Sequence, residues 1–527
     1  MDLDLSQYGL KPLGRIVGET THSNIFFTAS RPPKVGEYVI IDYSSSPMTV
    51  EGLESKYVLA IVESSIIGNP ALSSTRLRTE YVDRASMFEL ERIEYNMGFA
   101  RLLGWIEPLI EKKSLITPKY PPKPGTQVYE ASPEVLNKIF FRDYKDGWIR
   151  IGVLVNHPKV PVYVNVNSIV SRHLAVLAVT GAGKSNTVGV LVDEIVNKLG
   201  GTVLVIDMHN EYSKIAGEKA TREVDPKIHP VKLTIYEWYQ LLSLDPKASK
   251  QRLYLRKAIR ELRKEGLDKR EPDKFYDNLI DRIEKYLREY KEDSKSIADL
   301  KNKLDELQER YGGRVLSADA PTSIEAAIEP GKANIFKLGS MSEDVADVVT
   351  YHYLNWLLSE RKDYVMTRGK KGYPVPVLVV VEEAHILIPQ KRSTLTKEAA
   401  SRIAREGRKF GIGLCLVSQR PKNIDEDALS QTNNKIILKL VEPSDQRYVQ
   451  RATETLSEEL LQLLPSLNTG EAVILGMMTP LPALVKIDKA RHKTGGTDIR
   501  AHEEWVTWKT STSREGDEYD PYNMMEF

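Results

Sequence analysis

An α/β fold built on a parallel sheet is what the sequence predicts first, and three observations predict it. Short, almost wholly apolar runs at Leu174–Val179, Val203–Ile206, Asn334–Leu338, Val377–Val381 and Gly413–Val417 read as strands buried on both faces. Stretches of helical periodicity separate them. The first run ends in a glycine-rich turn, and this turn opens a helix carrying Val188, Leu191, Val192, Ile195 and Leu199.

The elements before and after that sheet follow in order. Residues 1–165 read as an N-terminal β unit. Gly14–Gly18, Gly36–Ile41 and Lys56–Glu63 are β-branched or aromatic runs parted by turn-forming clusters, the pattern of a small barrel or sandwich. Pro118–Pro124 reads as a stiff connector, and strand character resumes over Asp146–Val166. Residues 166–234 and 313–491 are assigned to the sheet domain, interrupted by an insertion over 235–312. Within it, residues 251–310 hold 17 basic and 15 acidic side chains with one Gly and one Pro. Leu300, Leu304, Leu307 and Tyr311 fall on one helical face, as do Leu253, Leu255, Ile259 and Leu262, and Phe275, Leu279, Ile283 and Leu287. A helical bundle on the rim of the sheet is expected, with its charges as a solvated surface. Past Arg491 the periodicity fades, so 492–527 reads as a disordered tail or an arm that orders against a neighbouring subunit.

Composition narrows the function. The chain has 527 residues, 41% hydrophobic and 28% charged, and its 74 basic and 73 acidic side chains leave +1. That balance gives no global signature of nucleic-acid binding, although a ring can hide a basic channel. A single cysteine, Cys415, excludes a disulfide framework and fits a reducing, cytoplasmic location. It lies inside an apolar strand, where an inert buried thiol is expected. The N-terminus lacks a basic and apolar leader. The longest apolar stretch, Val375–Val381, is broken by Pro376 and falls short of the ~20 residues of a membrane span. Receptors, secreted scaffolds and integral membrane proteins are excluded.

The chemistry begins at Ala178-Val-Thr180-Gly181-Ala182-Gly183-Lys184-Ser185-Asn186. A strand, a glycine loop and a helix in that order make a P-loop, whose residues Thr180 to Asn186 would bind ATP. Glycines let backbone N–H groups converge on phosphates, and the helix N-terminus adds its dipole. Lys184 would reach the β- and γ-phosphates and Ser185 would ligate Mg²⁺. Ala178 replaces the usual first glycine. The run Val377–Val381 delivers Glu382 and Glu383: Glu382 would hold Mg²⁺, and Glu383 would polarise the attacking water. Asp207 ends the strand Val203–Ile206 at the carboxyl edge, where open α/β sheets bind ligands, with His209 given a local role. Gln419 follows Gly413–Val417 and would sense the γ-phosphate or the water. Arg402, Arg405 and Arg408 recur every three residues on one helix. Arg408 is the candidate for crossing to a neighbour's γ-phosphate, and Arg172 is a second cation expected near the nucleotide.

The P-loop, D-x-H-x-E-Y at Asp207–Tyr212, E-E-A-H at Glu382–His385, R-E-G-R-K-F-G at Arg405–Gly411 and V-S-Q-R-P at Val417–Pro421 occur in one order. Together they resemble the HerA family, within the HerA–FtsK branch of ring-forming ATPases. The resemblance covers most of the chain, with its specific motifs in the core. It implies a RecA-like P-loop ATPase core, an N-terminal small β-barrel acting as collar and partner dock, and a helical-bundle insertion. It also implies a homo-hexamer that translocates double-stranded DNA with ATP and Mg²⁺ bound between subunits. Such a DNA-dependent ATPase and helicase would act with the nuclease NurA, beside the Mre–Rad proteins, in end resection and break repair. Lys214 and Lys219 after Asp207, and Lys391, Arg392 and Lys397 after the acidic pair, are candidate DNA contacts. The competing readings are a DNA pump for segregation, conjugation or packaging, and a nucleotide-switched protein remodeller.

Overall fold

The computed structural model describes residues 10–70, 94–453, 455–492 and 501–515. In the N-terminal unit the strands are β1 (Pro12–Val17), β2 (Asn24–Ala29), β3 (Tyr38–Asp42), β4 (Met48–Val50), β5 (Leu53–Ser55), β6 (Tyr57–Gly68), β7 (Tyr95–Trp105) and β8 (Gln127–Glu130). Six of them close a barrel in the order β1-β2-β7-β6-β3-β8, and β4 and β5 form a separate hairpin. Alternation decides what faces inward: Ile25 and Phe27 of β2 are buried, and Phe26 between them is exposed. At Gly14 the two strands come so close that a Cβ would fall 1.6 Å from the Thr28 carbonyl oxygen. The proline-rich passage stays within the barrel. Its Tyr120 rests against Tyr43 and Trp105, with ring centroids 5.6 and 6.4 Å away, before the chain enters β8.

The boundary expected at residue 165 moves toward the N-terminus. β9 (Trp148–Leu154) and β10 (Pro161–Asn165) form a hairpin that pairs with β19 (Ala483–Ile487), and so belongs to the main sheet. A half-buried strand has the same sequence pattern whichever sheet receives it.

The remaining strands are β11 (Leu174–Leu177), β12 (Thr202–Asp207), β13 (Thr221–Val224), β14 (Ala333–Lys337), β15 (Val377–Val381), β16 (Ile412–Ser418), β17 (Asn434–Ile437) and β18 (Glu471–Leu475). With β9, β10 and β19 they make an eleven-stranded sheet in the order β10-β9-β19-β18-β17-β11-β16-β15-β12-β14-β13. From β17 to β13 every pairing is parallel, and from β17 to β10 every pairing is antiparallel. The five apolar runs are β11, β12, β14, β15 and β16. Their side chains split between two cores, as burial on both faces requires. Val377, Val379 and Val381 join the core of helices Glu343–Met366 and Leu395–Phe410, whereas Leu378 and Val380 join that of helix Lys184–Leu199.

The insertion forms the three expected helices, Ser249–Lys264, Phe275–Glu289 and Ser294–Tyr311. Leu255, Ile259, Leu279, Ile283, Leu300 and Leu304 are buried in the same core as Glu343–Met366, while Leu253 points outward. Pairs such as Lys301–Asp305 and Arg310–Glu306, each at 2.7 Å, occupy the solvated face. Beyond the sheet, Ala501–Glu515 is helical where periodicity was expected to fade; the rest of the expected tail, 493–500 and 516–527, lies outside the described residues. Among the described residues no helix is long and apolar enough to cross a membrane.

One buried charge makes the fold sensitive to pH. Lys435 on β17 is 1% exposed, and its ammonium group bonds the carbonyls of Leu429, at 3.2 Å, and Thr432. Burial pushes its pKa down to about 8. The unfolded chain therefore holds a proton that the folded chain releases between about pH 8 and 10.5. Across that window folding is strengthened as pH rises, and the gain is lost as pH falls through 8. The melting temperature of the wild type is expected to rise relative to Lys435→Met between pH 7 and pH 10; parallel pH profiles for the two proteins would refute this.

Candidate nucleotide-binding site

β11 ends at Leu177 and the chain must turn into helix Lys184–Leu199 through Ala178–Gly183. Gly181 (φ 76°) and Gly183 (φ 105°) take the left-handed backbone that the turn needs. A Cβ on Gly183 would press within 3.3 Å of the Gly470 backbone, whose N–H bonds the Ala182 carbonyl at 2.9 Å. The loop and the first helical turn thus offer backbone donors to an anion.

Parallel register brings the acids to this loop. β15 ends beside β12 and β16, so Glu382, Glu383 and Gln419 emerge at the same carboxyl edge as the P-loop. Lys184 Nζ lies 2.7 Å from Glu383 Oε1 and 3.5 Å from Glu382 Oε1. Gln419 donates to Glu383 Oε1 at 2.8 Å and accepts from the Thr180 hydroxyl. Both glutamates are buried. For Glu382, burial dominates, aided by Asp207 and Glu211 against the pull of Lys184, and pushes its pKa up to about 8. For Glu383, burial also pushes up, but His385 and Lys184 outweigh it and hold the carboxyl at about 2. Burial presses Lys184 down, and its two carboxylate neighbours more than offset this and raise it.

The residues present fit a nucleotide with Mg²⁺. Glu382 Oε2 is buried with no hydrogen-bond partner among the described residues. The Ser185 hydroxyl stands at the head of the helix, bonded to Glu211 Oε2 at 3.0 Å. An Mg²⁺ in such a site takes one or two carboxylates together with phosphates and water.

Other expected residues serve differently. Asp207 accepts the backbone N–H groups of His209, Glu211 and Tyr212 at 3.2, 3.1 and 2.9 Å, so it shapes the turn that carries Glu211. Asn186 donates to the Asp488 carbonyl at 2.8 Å and accepts from Ala490 N–H at 2.9 Å, so its side chain clamps the C-terminal segment. Arg172 precedes β11 and Arg408 precedes β16, both at the amino edge. The four residues of β11 alone put roughly 13 Å between that edge and the P-loop. Arg172 is therefore not near its own chain's nucleotide site. Arg408 is exposed on the wall of a cavity of about 720 Å³ floored by Val170, Ile195, Leu199 and Pro376.

The lysines expected at DNA divide similarly. Lys397 pairs with Asp425 at 2.7 Å, Arg392 with Glu343 at 2.8 Å and Lys214 with Glu218 at 2.7 Å. Lys391 and Lys219 are both exposed. Sequence reasoning passed over Glu211, His385 and Ser418 as site residues. Their signal lay in the D-x-H-x-E-Y, E-E-A-H and V-S-Q-R-P strings.

The chain is similar to known proteins over most of its length. Residues 149–357 match the family described as the central domain of helicase HerA, and residues 330–489 match the HerA-like helicase C-terminal family. A probable helicase of Methanocaldococcus jannaschii is 40% identical over 95% of this chain and 95% of its own length. The DNA double-strand break repair helicase HerA of Saccharolobus solfataricus is 37% identical over 94% of this chain and 95% of its own. Among solved structures, VirB4 of Thermoanaerobacter pseudethanolicus superposes with a TM-score of 0.50 at 19% identity, covering 65% of this chain and 96% of its own; this bears on fold alone.

Lys184→Ala is expected to abolish ATP hydrolysis and also to lower the melting temperature without nucleotide, because it removes the cation that two buried acids face. Asn186→Ala should lower the melting temperature while keeping turnover. Calorimetry beside a phosphate-release assay checks both, and loss of hydrolysis in Asn186→Ala would return that side chain to the nucleotide.

Proposed function

The chain belongs to the HerA helicase family, whose members are ATP-dependent enzymes, and from that premise we propose that it is an ATP-driven translocase of double-stranded DNA working as a hexamer. The observation that carries the reading is the separation of Arg408 from Lys184, Glu382, Glu383 and Gln419. These four converge at the carboxyl edge of the sheet, and Arg408 stands exposed at the amino edge. One chain holds the phosphate cradle and the acids but brings no arginine to them from that helix. A ring that sets the amino edge of one subunit against the carboxyl edge of the next completes the site.

In that site the P-loop N–H groups and Lys184 would hold the phosphates, and Ser185 and Glu382 would hold Mg²⁺. When bound, the ion neutralises charge on the β- and γ-phosphates. Glu383, which its neighbours keep ionised, accepts the proton of the attacking water, and it becomes more basic when Lys184 turns to the phosphates. Gln419, bonded to both Thr180 and Glu383, carries the state of the γ-phosphate to the loop after β16. Arg408 of one subunit supplies the second cation to the next. The exposed Lys391, in the loop after the acidic pair, and the exposed Lys219 are the foremost DNA contacts among the basic residues named above. The barrel holds none of the nucleotide residues and is read as the collar that docks a nuclease of the NurA kind, with the Mre–Rad proteins acting on the same ends. Relatives named as break-repair helicases support that setting.

Two measurements test the reading. Linear duplex DNA is expected to stimulate ATP hydrolysis, with log affinity falling by about 0.9 per log unit of salt for each phosphate neutralised. Stimulation by unfolded protein in place of DNA would favour a remodeller. Arg408→Ala and Lys184→Ala, each inactive alone, are expected to regain activity when their subunits are mixed, because some interfaces join an intact P-loop to an intact arginine; a trans arginine contributes ~10³–10⁵ in rate. A mixture as inactive as its parents would place the arginine in cis or elsewhere, and Arg405→Ala and Arg172→Ala in the same assay identify the alternative.

A further inference from the structure

The E-E-A-H string supplies one side chain that the nucleotide reading leaves without a task. We propose that His385 is a positioning residue for Glu383, holding the second oxygen of its carboxylate in place when Lys184 turns from Glu383 to the phosphates. The proposal rests on reading Glu383 as the group that activates water.

The two oxygens of Glu383 are held unequally. Oε1 receives Lys184 at 2.7 Å and Gln419 at 2.8 Å. Oε2 is buried and has no aligned hydrogen-bond donor among the described residues. His385 Nδ1 stands 3.1 Å from it. The same nitrogen lies 3.1 Å from Ser418 Oγ, and that hydroxyl oxygen accepts the Arg420 N–H at 3.0 Å. Nδ1 carries a single proton, which the Ser418 hydroxyl and Glu383 Oε2 compete to accept, so the imidazole spans the ends of β15 and β16 with Ser418 Oγ as its second partner. The backbone of Glu383 is itself in the left-handed region, at φ 45°, which non-glycine residues rarely take. A side chain aimed by such a backbone has little freedom to find new partners.

Nucleotide binding changes the demand on this arrangement. The phosphates compete with Glu383 for Lys184, and the carboxylate, 2% exposed beside that cation, loses its charged partner when the lysine turns away. A buried carboxylate without partners is unfavourable. Gln419 still serves Oε1, and His385 is the polar group already beside Oε2. A third group that orients the base is a recurring requirement of such sites. The Ser418 anchor adds a consequence: the group that steadies the base is tied to the same turn that carries Gln419, so both respond to one loop.

The geometry at Nδ1 makes the test specific. Asparagine can place its amide nitrogen near Nδ1, whereas glutamine places it near Nε2. In DNA-stimulated ATP hydrolysis by the full chain, His385→Ala is expected to lower kcat by about 10–100-fold, with the affinity for a fluorescent ATP analogue unchanged. His385→Asn should restore most of the loss and His385→Gln should not. In a Glu383→Gln background, His385→Ala should add no further loss, because the two act as a unit. Near-normal kcat in His385→Ala, equal impairment of the Asn and Gln variants, or a fall in ATP affinity matching the fall in kcat would each overturn the proposal. If Glu383→Gln keeps its turnover, the reading of Glu383 fails and this proposal with it. If Glu383→Gln is inactive while His385→Ala is not, only the role of His385 falls.

Discussion

The buried cation of Lys184 between Glu382 and Glu383 is the interaction on which the rest of the site depends. Each of the two acids is nearly inaccessible to water, and neither would be tolerated ionised in such a place without a partner. The lysine answers them unequally, at 2.7 Å to Glu383 and 3.5 Å to Glu382. With His385 as a further neighbour, Glu383 stays ionised, while Glu382 sits higher among Asp207 and Glu211. Two adjacent residues of one type thus acquire different chemistry from their surroundings alone. The same lysine is the one proposed to hold the phosphates, and on that reading occupation of the site and the charge state of the acids are coupled by one side chain.

That lysine opens a helix which the C-terminal segment holds in place. Asn186 ties the first turn to Asp488 and Ala490, and farther along Arg491 pairs with Asp193 at 3.0 Å and with Glu194 at 2.5 Å. Asp193 and Glu194 are buried acids on a helix face, and Tyr144 adds a bond to Glu194 at 3.1 Å. The P-loop helix is therefore braced from outside its own sheet, by the stretch of chain that precedes the helix Ala501–Glu515. The barrel is joined to the core by comparable means. Tyr38 donates to the Pro482 carbonyl at 2.6 Å, and Ser457 bonds Glu63 at 2.7 Å.

The parallel sheet assigns its two edges different work. Strand ends deliver the acids, Gln419 and the P-loop to one edge, and the segments entering the strands carry Arg172 and Arg408 to the other. Parallel pairing enforces this polarity, since every carboxyl end faces the same way. A catalytic centre that needs groups from both edges then needs two copies of the chain.

The sequence by itself determined the fold class, the P-loop, the acidic pair and the three helices of the insertion, because these depend on local order. An apolar run of five residues is a buried strand wherever it lies, and glycines beside a lysine at a helix start form a phosphate loop without help from distant residues. Only the tertiary structure decided the rest. β9 and β10 carry no mark that sends them to the main sheet, since their partner β19 lies more than 300 residues away. The duties of Asp207 and Asn186 depend on which backbone groups reach them. Arg172 stands close to the P-loop in sequence and a strand's length away in space. The different states of Glu382 and Glu383 follow from burial and from the distances to Lys184 and His385, and those distances come from chain segments that meet only when the sheet is assembled.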